Sequence, residues 1–160
     1  MPNVGTAALT IIGSVLVYVL GKIIERAFIE PLNDYRRLVM AIAGALAMHA
    51  NYWGDTSATE TLSSYGTRDE PWRVELSKAV SEASRDLRAK ATQLGAYALT
   101  IPWYRLWSLL RFVPKRGDLL LASSELVGMA NRTPPRNHDE AQDNMRANRR
   151  IQVLMRMATK

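Results

Sequence analysis

No cysteine occurs among the 160 residues, which excludes a disulfide framework, a thiol nucleophile and any thiolate metal site. Histidine is nearly absent too. His49 and His138 sit on separate segments, and His49, between Met48 and Ala50, is expected to be a buried structural side chain rather than a ligand. Neither phosphate-binding glycine motif, G-x-x-x-x-G-K or G-x-G-x-x-G, occurs, nor a nucleophile elbow. No catalytic residue, metal or cofactor is therefore expected, and the chain reads as a non-enzyme.

The most informative absence is charge. From Met1 to Gly21 no side chain is charged, and Val4 to Leu20 is almost wholly apolar. Extended to Ile24, the run makes roughly 30 Å of helix, one bilayer crossing. In hydrocarbon the amide groups must pair within the segment, which a helix does alone, so residues 1–24 are expected to hold a single transmembrane anchor from residue 4 to about 24. A cleaved signal peptide is the nearest rival, but no basic residue precedes the run and Leu20-Gly21-Lys22-Ile23 offers no A-x-A-like cleavage site. A buried core helix is the other alternative, yet such helices are usually shorter and seldom uncharged for so long. Lys22, Arg26, Arg36 and Arg37 follow the span and none precedes it, so the N-terminus is expected outside and the remainder in the cytoplasm, at an inner (plasma) membrane. Gly5, Gly13 and Gly21 recur every eight residues, a loose stripe that would let anchor helices cross closely. Such an anchor suggests a homo-oligomer.

What is present beyond the anchor is helical patterning. The formal net charge is +6, which favours an anionic leaflet by about 1 kcal/mol per close Lys or Arg. Residues 25–132 suit one small bundle. Pro31 fits a first helical turn, and Leu32, Tyr35, Leu38, Val39, Ile42, Leu46, His49 and Trp53 follow at three- and four-residue spacing. Leu38 to Gly54 lacks formal charge, but His49 and Asn51 interrupt it; a buried or interfacial helix is favoured over a re-entrant membrane segment. Residues 54–70, rich in Ser, Thr and acid, read as an acidic loop.

Pro71 opens the clearest amphipathic helix, with Leu76, Val80, Ala83, Leu87, Ala91, Leu94, Ala98 and Ile101 on one stripe. Pro102 ends it, and Trp103 to Phe112 suits a short aromatic helix. Asp118 is placed to cap a helix over Leu119 to Ala130. Residues 133–160 form a linker and a basic amphipathic helix. There Asn137 and Glu140 make a variant capping box, Ala141, Met145, Ile151, Leu154, Met155 and Ala158 are the apolar positions, and Arg146, Arg149, Arg150 and Arg156 lie between them. This helix can cover its own bundle, dock on a partner or lie on an anionic membrane.

One constellation points to binding: Trp103, Tyr104, Arg105, Trp107, Arg111, Lys115 and Arg116. Aromatic rings interleaved with cations suit a membrane or partner interface, where Trp and Tyr prefer headgroup depth and Arg or Lys snorkels. The same composition can stack on nucleic acid, or simply pack a core. With an anchor already at the membrane, the interface is favoured and nucleic acid is not the expected partner.

The stretch Ile101-Pro102-Trp103-Tyr104-Arg105-Leu106-Trp107, then Leu110-Arg111-Phe112-Val113-Pro114, Asp118-Leu119, Ala122-Ser123, Leu126-Val127-Gly128-Met129 and Asn131, together with Phe28-Ile29-Glu30-Pro31-Leu32, resembles an uncharacterised family of small bacterial inner-membrane proteins. The resemblance covers about residues 9 to 131 and implies one N-terminal transmembrane helix with a cytoplasmic helical domain, without an activity attached to any residue. The expected fold is thus all-α, a single membrane helix followed by a small cytoplasmic helical bundle. The expected role is a scaffold, regulatory or accessory subunit acting through assembly, with membrane lipid as one partner and no small-molecule substrate. An oligomeric pore, lined by Thr6, Thr10, Ser14 and Tyr18, and a membrane-tethered nucleic-acid binder are the alternatives.

Overall fold

The computed structural model describes residues 4–64 and 71–155, with side chains at 9–63 and 71–155. Residues 65–70 of the expected acidic loop, the surroundings of Gly5, and Arg156 and Ala158 lie outside the described residues. Every regular element among the described residues is helical: α1 (Val4–Ile24), α2 (Glu30–Met48), α3 (Ala50–Trp53), α4 (Ser57–Ser64), α5 (Pro71–Thr100), α6 (Tyr104–Leu109), α7 (Arg116–Asn131) and α8 (His138–Leu154).

Helix α1 has the bounds expected of the anchor, 21 residues from Val4 to Ile24. Among the described residues no helix is long and apolar enough to cross a membrane. Rather than ending at a linker, α1 runs on through a π-helical turn, Glu25–Ile29, directly into α2. Pro31 accounts for that irregularity. It has no N–H, and its ring would meet the carbonyl four residues earlier, at Ala27, in a regular helix. The backbone widens instead, and the Glu30 N–H donates to Glu25 O, five residues back.

Helix α5 is the centre of the bundle, packed on α2 and on α7, with α8 packed on α7 and reaching α2 and α3 through Tyr35 and Trp53. Its stripe is as the spacing predicts, since Val80, Ala83, Leu87, Ala91, Leu94 and Ala98 are all buried, with Leu76 only half-buried. Small residues let α5 and α7 approach closely. Ser84 Oγ donates to Ala130 O and Ser123 Oγ to Ala91 O, both at 2.8 Å, and a Cβ on Gly95 would lie 3.3 Å from the Ser123 hydroxyl. Tyr35, Ile42, Leu46 and Trp53 of α2 and α3 join the same core, so the uncharged Leu38 to Gly54 stretch turns one face into the bundle and leaves Met40 and Met48 on the other exposed.

Three local expectations change. Half of the acidic segment is helical, because Asp55 Oδ1 accepts the Ser57 N–H at 3.2 Å and Thr56 Oγ1 donates to Glu60 Oε1 at 2.8 Å, organising the first turn of α4. These bonds with Ser57 hold the Asp55 carboxyl below the usual carboxylate range. Second, Asp118 does not cap α7. The chain leaves Pro114 extended, Lys115 is the cap residue, and Asp118 falls within the first turn. Third, Met145 is exposed on α8, while Asn144 and Ala147 take the inward positions beside Ala141 and Ile151. The capping at Asn137 holds in modified form: its side chain accepts the Glu140 N–H at 2.9 Å, and Glu140 Oε2 reaches past it to the Arg136 N–H at 2.7 Å.

Asn144 is fully buried and locks three elements together. Its Nδ2 donates to Trp53 O at 2.8 Å and Arg132 O at 3.0 Å, and its Oδ1 accepts from Arg132 Nε at 2.9 Å. Helix α8 therefore covers its own bundle, with Ala147, Ile151 and Met155 in the core and Arg146, Arg149 and Arg150 outward.

Candidate functional site

The bundle end from which α1 emerges is built by the turn after α5. Pro102 cannot extend that helix, and Trp103 turns the chain in the left-handed region, φ 58° and ψ 24°, before α6 begins. Arg111, at φ 59°, turns it again after α6. A non-glycine residue in this region costs on the order of 1 kcal/mol or more, and persists only where its surroundings dictate it.

Those surroundings are two rings turned inward. Tyr104 is buried with its hydroxyl donating to Pro114 O at 2.6 Å. Trp107 is buried edge-on against Phe28 of the π-turn, ring centroids 5.2 Å apart, and against Phe112 at 5.9 Å. Burial pushes the Tyr104 phenol up to about 12, with Arg116 opposing and Asp118 adding to the rise. Trp107 thus supports the turn from within, while Tyr104, though buried, also lines the hollow around which the cations gather. Tyr97 ties the same end to the π-turn by donating its hydroxyl to Pro31 O, and burial, with Asp34 and then Tyr35 nearby, raises its phenol as well.

The other members of the constellation face outward. Trp103 is 66% exposed, and Arg105, Arg111, Lys115 and Arg116 surround a hollow of about 1220 Å³. Among the described residues, four cations and no carboxylate line it. The Arg116 guanidinium lies 5.3 Å over the Tyr104 ring, which fixes that charge at the rim. Leu109, 78% exposed, and Leu106 line the same hollow, and Leu110 and Phe112 lie exposed beside them. Sequence reasoning named none of these apolar side chains as part of the site, because their alignment with the cations depends on the two left-handed turns.

Elsewhere the polar groups serve structure. His49 Nε2 lies 3.2 Å from Asp86 Oδ2, joining the end of α2 to α5, and its Nδ1 is buried without a hydrogen-bond partner among the described residues. Lys22 and Glu25 pair at 2.6 Å at the end of α1, and the hydrogen bond from Lys22 holds the Glu25 carboxyl below its usual range. Gly13 and Gly21 have open space beside them. Among the described residues no group of three or more His, Asp or Glu side chains is arranged to hold a metal ion. No family model matches the chain, and no curated protein or solved structure matches it.

Proposed function

We propose that the chain is a membrane-anchored helical module: α1 crosses an inner membrane once with its N-terminus outside, and the cytoplasmic bundle acts by assembly, as a scaffold, regulatory or accessory subunit. One observation carries this reading. From Leu9 to Leu20 the side chains of α1 are nearly all apolar, yet every one is exposed, and among the described residues α1 packs appreciably only on the π-turn that follows it. An apolar helix that its own protein leaves bare needs lipid or another chain around it. The described side chains of α1 from Leu9 onward make about 24 Å of helix. Val4 to Ala8, uncharged in sequence, extend it to the roughly 30 Å of a bilayer core.

Assembly is supported by apolar side chains left exposed on the bundle, among them Met40, Met48 and Val153.

Alkaline carbonate extraction of membranes from cells expressing the full chain tests the anchor. The protein is expected in the membrane pellet, and the double change Ile12→Arg and Leu16→Arg, each costing about 2.5–3.5 kcal/mol at a helix centre, is expected to release it. Wild-type protein in the soluble fraction overturns the reading. A reporter fused after Lys160 that proves periplasmic overturns the orientation.

A further inference from the structure

We propose that the hollow between α6 and the start of α7 binds the phosphoryl headgroup of an anionic phospholipid, so that the bundle docks on its membrane with selectivity for anionic lipid. The inference rests on the anchored reading for its source of lipid, and it assigns a ligand to a site that the anchor alone does not require.

Charge is the first ground. Arg105, Arg111, Lys115 and Arg116 line one cavity with no carboxylate among its described lining residues, Asp118 in the first turn of α7 standing outside that lining, and arginine's fixed fork of donors suits phosphate oxygens. Lys115 caps α7 and Arg116 opens it, so the hollow also sits at the positive end of a 16-residue helix.

Amphiphilicity is the second ground, and it separates a lipid from a free anion. Leu106, Leu109 and Trp103 line the same cavity as the cations, a combination that inorganic phosphate cannot use and a headgroup with the first part of its acyl chains can. At about 1220 Å³ the hollow exceeds the roughly 300–1,000 Å³ of ordinary small-molecule sites, leaving room for both parts of such a ligand. An exposed tryptophan beside arginines is also the arrangement favoured at headgroup depth.

Position is the third ground. Trp107, inside the turn, packs on Phe28, which lies about 6 Å along the helix from Ile24. The hollow is therefore close to the point where α1 leaves the bundle. Bracketing it, Trp103 and Arg111 both hold left-handed backbone conformations, the kind of local strain that concentrates at ligand sites.

The test uses the full chain in non-ionic detergent, titrated separately with phosphatidylglycerol, phosphatidylcholine and inorganic phosphate, with bound species counted by native mass spectrometry. Phosphatidylglycerol is expected to bind saturably, and phosphatidylcholine at least tenfold more weakly. The double variant Arg105→Gln and Lys115→Gln is expected to bind phosphatidylglycerol about 30-fold more weakly, since each close cation is worth roughly fivefold. Arg146→Gln with Arg149→Gln, which removes equal charge from the outer face of α8, is expected to leave binding unchanged. Circular dichroism confirms folding. Should the first pair unfold, Arg111→Gly, which suits the positive φ, is expected to weaken binding about fivefold. Equal retention of both lipids, equal loss in the two double variants, or an unchanged affinity in Arg111→Gly overturns the proposal. Inorganic phosphate binding as tightly as the lipid overturns the lipid source. Because the readout concerns one site in detergent, its failure leaves anchoring by α1 untouched, while release of wild type by carbonate would remove the anchor without altering this measurement.

Discussion

Helices α1 and α5 invert the usual relation between composition and burial. Leu9 and Leu16 of the apolar α1 are 72% and 56% exposed, whereas Leu87 and Leu94 of the charge-rich α5 are fully buried. The difference teaches that a stripe, rather than total hydrophobicity, fits a helix to its own protein. Helix α5 offers one apolar face and keeps Lys78, Glu82 and Arg85 outside, so neighbours on that face satisfy it. Helix α1 offers apolar surface all round, which this small bundle cannot enclose.

The sharpest way to break the comparison is the same substitution in both helices. Leu94→Ala opens a cavity between α5 and its neighbours and is expected to destabilise the bundle by about 2–5 kcal/mol. Leu16→Ala is expected to shift the urea midpoint of the bundle by less than about 0.5 kcal/mol equivalent. Equal losses would mean that α1 belongs to the folded core. Next in size is Asn144→Ala, which strands Trp53 O, Arg132 O and Arg132 Nε and is expected to cost roughly 2–3 kcal/mol in chemical denaturation. Smallest is an alkaline effect at the junction of the two regions. With the Tyr104 phenol near 10 when unfolded and about 12 when folded, only the unfolded chain ionises in between. Its contribution to stability is full below pH 10 and is lost as the pH rises toward 12. Tyr104→Phe is expected to flatten that decline in pH-dependent melting curves, at a loss of about 1 kcal/mol for the hydrogen bond to Pro114.

What was legible in the sequence is what periodicity and caps control. Val80 to Ala98 declared a buried stripe because each apolar position recurs within one helical turn, and Asn137 declared a helix start because its side chain can satisfy a first-turn amide. The bounds of α1 followed from the missing charge. Less was legible where a single polar or ring side chain settles the outcome through distant partners. Asn144 carries no signal of burial until Trp53, far from it along the chain, and Arg132 are brought to it, and Met145 loses its place in the core to that neighbour. At the candidate site, composition marked one stretch but could not divide it into inward and outward side chains. Only the left-handed backbone at Trp103 turns Tyr104 and Trp107 inward and leaves Trp103 with the cations.

The uninterrupted path from Val4 to Met48 carries a mechanical consequence. A flexible tether would let a bundle drift above the bilayer whatever its anchor did. Here the wide turn at Glu25–Ile29 keeps its backbone bonded, so α1 and the bundle are joined by one continuous helical path about 65 Å long. With α1 in lipid, any change of bilayer thickness that tilts it would swing the bundle as a lever and alter how squarely its end meets the membrane surface.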